Sequence, residues 1–134
     1  MGYLLDTNVV SAVIKNNSKI KRKLESTKFK GIDISISCIT YFEIKRGLLA
    51  IDSPRQLERF EEFCETYKII MLDDLKILEK SSEIHANLRL RGLPIQTEDI
   101  LIAATAIVKE LTLVSNDRDL SRVEQLKLED WLEM

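Results

Sequence analysis

One histidine, two cysteines and no long apolar run narrow this 134-residue chain before any motif is considered. A lone histidine, His85, leaves nothing for a histidine-rich zinc site and weakens any serine–histidine triad. Cys38 and Cys64 stand far apart and in no metal-ligand spacing, so free thiols in a reducing cytosol are expected. No uncharged stretch approaches the ~20 residues of a membrane span. The opening Met1-Gly2-Tyr3-Leu4-Leu5-Asp6 has no basic n-region, and Asp6 stands where a myristoylation motif needs serine or threonine. A cytosolic protein without a membrane partner is therefore expected. The net charge is only −2, so no global field favours nucleic acid, and any such binding must rest on a local patch. Walker A loops, glycine-rich dinucleotide fingerprints, internal repeats and linkers are all missing.

What remains has the composition of a folded globular protein, 45% hydrophobic and 31% charged, in a length suited to one domain spanning 1–134. Short apolar runs at 3–6, 32–37, 68–72 and 111–115, and a weaker one at 126–128, read as strands. Amphipathic stretches near 7–15, 18–28, 39–51, 53–66, 74–91 and 97–109 read as helices. This alternation predicts an α/β fold with a central parallel sheet of about five strands, covered on both faces. Asp52-Ser53-Pro54 reads as a helix start, Gly92-Leu93-Pro94 as a helix end, and Thr97 as the cap of the next helix.

Four acids stand where apolar segments end or small residues open space: Asp6, Glu43, Asp99 and Asp117. Carboxylates are rarely buried alone, so each position asks for a cause. In open parallel sheets, functional groups gather beyond the carboxyl ends of the strands, where strand order reverses. Asp6 and Asp117 follow predicted strands, Glu43 lies one turn into a helix after a strand, and Asp99 opens the helix before the fourth strand. A shared Mg²⁺ or Mn²⁺ explains all four, because hard cations take oxygen ligands and relieve the repulsion among like charges. Such a site suits phosphodiester hydrolysis. Four acids exceed what a glycosidase needs. An aspartate-nucleophile phosphotransferase would want a second Asp two residues after Asp6, where Asn8 stands.

Each acid also has a plainer reading. Asp6-Thr7-Asn8 could cap a helix, Glu43 could pair with Arg46 one turn on, Asp99 could favour a helix N-terminus beside Glu98, and Asp117 could sit in a polar turn. The segment from Lys19 to Lys30 carries six basic residues against the single acid Glu25, which makes Lys19, Lys21, Arg22 and Lys23 candidate RNA contacts or simply a solvated helix face. The apolar residues between Phe42 and Tyr67 suffice for a core, with some left over for a partner surface. Trp131 reads as a packing anchor.

Taken together, these residues resemble a PIN-domain ribonuclease of the VapC toxin type, over nearly the whole chain. The likeness is carried by Leu4-Leu5-Asp6-Thr7-Asn8, by Tyr41-Phe42-Glu43-Ile44-Lys45-Arg46-Gly47, and by Arg91-Gly92-Leu93-Pro94 followed by Asp99-Ile100-Leu101-Ile102-Ala103-Ala104. Leu113-Val114-Ser115-Asn116-Asp117 and Leu128-Glu129-Asp130-Trp131 complete it. The resemblance implies a single PIN-like α/β/α sandwich, Mg²⁺ or Mn²⁺ as cofactor, and endoribonuclease activity on structured RNA such as tRNA. It puts Asp6, Glu43, Asp99 and Asp117 on the acidic cluster, with Asp6 and Asp99 touching metal and Thr7 and Asn8 in support. Ser115 stands where threonine is usual, Leu120 replaces a frequent aromatic, and Asn116 or Asp119 could share the part of Asp117. The likeness also implies a VapB-type antitoxin peptide in the groove and a homodimer. A housekeeping PIN nuclease in RNA processing and a non-catalytic PIN-like binding module are the alternatives.

Overall fold

The computed structural model describes residues 2–132. Among these residues five strands form one sheet: β1 Gly2–Leu5, β2 Asp33–Ser37, β3 Lys68–Ile70, β4 Thr112–Val114 and β5 Leu128–Glu129. Six helices join them: α1 Thr7–Ile14, α2 Ser18–Phe29, α3 Cys38–Ile51, α4 Pro54–Thr66, α5 Leu75–Leu90 and α6 Thr97–Val108. Every strand pair is parallel, in the order β3-β2-β1-β4-β5.

The pleat sends neighbouring residues to opposite faces, and this builds two cores. Leu5 and Val114 point to a layer with Val9, Val10, Ile20, Ile44 and Phe60 from α1 to α4 and with Trp131 from the segment after β5. Leu4 and Leu113 point the other way, to Ile77, Leu88, Ile102 and Ala103 from α5 and α6. Buried on both faces, β1 is continuously apolar at Leu4-Leu5, as central parallel strands are. The result is the expected α/β/α sandwich.

Most predicted elements agree within a residue or two. The third strand stops at Ile70 rather than reaching Leu72, with Met71 turned out to solvent. The last strand starts later than 126–128 suggests, because pairing joins Leu113 to Leu128 and Val114 to Glu129. Thr97 is the first helical residue of α6 and not its cap. Gln96 holds that position without a side-chain bond, and the first turn instead carries the favourable acids Glu98 and Asp99. Helix α5 ends as expected, with Gly92 at φ 71° in a paired turn, where Leu93 N–H bonds to Leu88 and Gly92 N–H to Arg89. The turn after α6 has the same pairing, but Glu110 rather than glycine takes the left-handed position at φ 55°.

Candidate functional site

Strand order reverses at β1, which has β2 on one side and β4 on the other. The backbone N–H of Asp6 extends the ladder by bonding to the Val114 carbonyl at 2.9 Å, so Asp6 is fixed at the carboxyl edge of the sheet. A cleft of about 490 Å³ opens there between α1 and α3, and Asp6, Glu43, Asp99 and Asp117 all line it, with Thr7 and Asn8. Four separate elements thus deliver the four acids to one place.

Asp6 is 4% exposed and does serve as the N-cap of α1: Oδ1 accepts from Thr7 N–H at 2.8 Å. Its other oxygen, Oδ2, accepts from the Ser115 hydroxyl at 2.7 Å. Ser115 in turn accepts from Asp117 N–H at 3.0 Å, so one small buried hydroxyl ties the first acid to the loop carrying the fourth. Serine in place of threonine keeps this link. The Thr7 hydroxyl donates to Glu43 Oε1 at 2.7 Å, and the buried Thr40 hydroxyl lies 3.1 Å from the same Thr7 oxygen. Glu43 also has its expected neighbour, with Arg46 Nη2 at 3.9 Å from Oε2 and its guanidinium over the Phe42 ring.

Burial, then the negative charges of Asp6, Asp117, Glu43 and Glu98, push the half-buried Asp99 carboxyl up to about 6. Asp6 is also raised, mainly by burial. Its bonds from Ser115 and Thr7 pull the other way, and Asp117 and Glu43 add to the rise. The cleft is therefore a place where negative charge is crowded and short of solvent. Among the described residues no three acids, thiols or imidazoles close into a ready cage for an ion. The acids share the cleft while standing apart.

The remaining sequence candidates divide. Asn8 donates from Nδ2 to Asn116 Oδ1, while its own Oδ1 is buried and has no hydrogen-bond partner among the described residues. Asp119 points elsewhere, held by Arg122 at 3.1 Å, with its N–H on Asp117 Oδ1. Lys19, Lys21, Arg22 and Lys23 lie outside the cleft: Lys21 bonds to Asn16 and Lys23 sits over the Trp131 ring. Trp131 is an anchor, 1% exposed and edge-on to Tyr3. The sequence reading missed Thr40, which backs Thr7, and the lining residues Ser11, Ile14, Lys15 and Gln56. Thr7, Ser11 and Lys15 stand at four-residue spacing on one side of α1 and its C-terminal cap, but only the packing of the neighbouring helices turns that side into a cleft wall.

A protein-family model described as PIN domain matches residues 3–126. Ribonuclease VapC2 of Rickettsia felis is 31% identical to the chain, over 98% of each sequence. The chain belongs to the PIN-domain family, on its VapC branch. This PIN domain is also 31% identical to the tRNA(fMet)-specific endonuclease VapC of Shigella flexneri, over 96% of the chain and 97% of that protein. Among solved structures, the VapBC2 complex of Rickettsia felis bound to a fragment of its promoter DNA contains a chain that superimposes with a TM-score of 0.88. The identity is 29%, and the match covers 98% of this PIN domain and 99% of that chain.

Proposed function

We propose that this PIN domain is an endoribonuclease toxin of a VapBC-type pair. In this reading it hydrolyses phosphodiester bonds in RNA, with tRNA as substrate class, in the cytosol. Asp6, Glu43, Asp99 and Asp117 carry the reaction with Mg²⁺ or Mn²⁺. One observation carries this: four carboxylates from four elements line a single cleft at the reversal of strand order.

The residues suit a hard divalent cation. Every donor facing the cleft from these positions is oxygen, and the negative neighbours that add to the effect of burial in raising Asp99 are what a cation relieves. Asn8 lines the cleft beside them, and its Oδ1 is buried without a hydrogen-bond partner among the described residues. Asp6, Asp99, Glu43 and Asp117 would hold the ion. Bound there, it would polarise the phosphate and lower the pKa of a water. The chain's own work is positioning. Ser115 and Thr7 N–H fix both oxygens of Asp6, and the Thr7 hydroxyl aims Glu43. Asp117 is the fourth acid in this reading, because Arg122 engages Asp119 while Asp117 lines the cleft.

The same cleft suits control by an antitoxin peptide. Ile44, Leu48 and Ile51 give an apolar wall next to the acids, and an antitoxin guanidinium would find carboxylates there. A second copy of the chain would cover the exposed Phe42, Leu49 and Leu75 in a homodimer. The test is cleavage of total cellular tRNA by the purified protein with Mg²⁺, with Mn²⁺ and with EDTA, beside Asp99→Asn. Discrete fragments that vanish with EDTA and in the variant are expected. Uncut tRNA in the presence of folded protein and metal would overturn tRNA as the substrate class. Cutting that persists in EDTA or in Asp99→Asn would overturn the metal reading.

A further inference from the structure

Gly47 sits in the interior of α3, one turn after Glu43, and its backbone is not left-handed. Glycine in mid-helix costs stability relative to alanine, so its presence needs a reason. Packing supplies none: a Cβ added there would meet nothing within 4 Å among the described residues. Yet Gly47 lines the cleft, between the acids and the apolar pair Leu48 and Ile51. The room left by the missing side chain is therefore room in the cleft.

Across the groove, α1 runs outward from Asp6. Lys15, at its far end, lies about 12 Å along the helix axis from Thr7. It is the cation lining this cleft, it is exposed, and it forms no ion pair among the described residues, not even with the four carboxylates. Gln56, from the start of α4, closes the same end, and its amide is likewise without a hydrogen bond among the described residues.

We propose, resting on the nuclease reading, that this outer half of the cleft is a nucleotide subsite beside the cutting position. Lys15 holds a phosphate flanking the scissile one, and the Gly47 notch admits the nucleotide between them against Leu48 and Ile51. An antitoxin peptide would compete for the same apolar wall, and Lys15 is what marks this end as a place for RNA. A nucleic-acid strand repeats negative charge along its length, and a second phosphate needs a cation where Lys15 stands. A cationic antitoxin side chain drawn to the carboxylates gains nothing from Lys15.

The test is steady-state cleavage of the RNA that the wild-type protein cuts, with kcat, KM and melting temperature measured for each variant between 50 and 200 mM salt. Those limits correspond to about the range over which phosphate contacts show in binding. Gly47→Ala is expected to melt at or above the wild-type temperature while raising KM several-fold at nearly unchanged kcat. Gly47→Leu should raise KM further. Lys15→Gln should raise KM and flatten the plot of log KM against log salt by about 0.7, one single-strand phosphate contact. Wild-type cleavage with KM and salt slope unchanged in Gly47→Ala and Lys15→Gln would overturn the subsite and leave the nuclease reading standing. A wild-type protein that cuts no RNA would overturn both. Variants that cut RNA normally but lose only an antitoxin peptide would assign the notch to the peptide, and so overturn the proposal.

Discussion

Replacing Asp99 with asparagine removes one charge from the crowded cleft while keeping the shape of the side chain. The Asp99 carboxyl lies near 6 in the fold, against 3.8 for an ordinary aspartate. Because the folded value is raised, the folded protein holds this proton more tightly than the unfolded chain between those two values. Stability from Asp99 is thus present at pH 4 and is lost as the pH rises through 6. A shift of this size corresponds to about 3 kcal/mol without screening. Asp99 is only half-buried, so solvent screening reduces that to about 1–1.5 kcal/mol. Metal-free Asp99→Asn should therefore be more stable than the wild type at pH 7 by about that amount, or roughly 4 °C in melting temperature. The advantage should shrink toward pH 4. Thermal melts of both proteins in EDTA, from pH 4 to 7.5, read it directly. An asparagine variant that is less stable at pH 7, or a difference that does not grow with pH, would refute the electrostatic account of the cleft.

Three further outcomes are expected. Ser115→Ala strips a hydrogen bond from buried Asp6 and another from the Asp117 amide, which should cost about 2–3 kcal/mol in urea unfolding. It should also lower RNA cleavage about 10- to 100-fold, whereas Ser115→Thr keeps the hydroxyl and the activity. Phe60→Ala should cost about 3–5 kcal/mol by the same measurement, since Phe60 is 1% exposed and packs on Tyr41 and Phe63. Glu110→Gly should gain up to about 1 kcal/mol in calorimetry, because Glu110 holds a left-handed turn at φ 55° that glycine adopts without crowding.

Sequence periodicity made the sheet and its helices legible because β1 and β4 are buried on both faces and the helices show one apolar side. Asp6 and Asp117 could be placed because they follow those strands directly. Element ends were less legible, as at Thr97, where the chain caps α6 through backbone geometry at Gln96 rather than through the better capping side chain. The cleft's supporting groups were legible only in part. Ser115 could be suspected from its position, but its bond to Asp6 crosses 109 positions of sequence and depends on the β1–β4 register. Lys15 and Gln56 became cleft residues only when α1 and α4 converged. Nothing local distinguishes Lys15 from the lysines of α2, which face away from the cleft.

The bond between Asp6 and Ser115 joins the beginning of the chain to nearly its end, as does the pairing of Leu5 with Val114. Synthesis delivers the chain N-terminus first, so a ribosome that has released everything through α5 has released Asp6 and Glu43 but neither Asp99 nor β4. Closing so long a loop comes late because it pays chain entropy before any contact rewards it. An unfinished chain, or one clipped before Thr112, therefore has its first acid without the hydroxyl and strand that seat it. On the nuclease reading, such fragments cannot attack the RNA of the cell that makes them, and the hazard arrives only once Asp99 and β4 have been made.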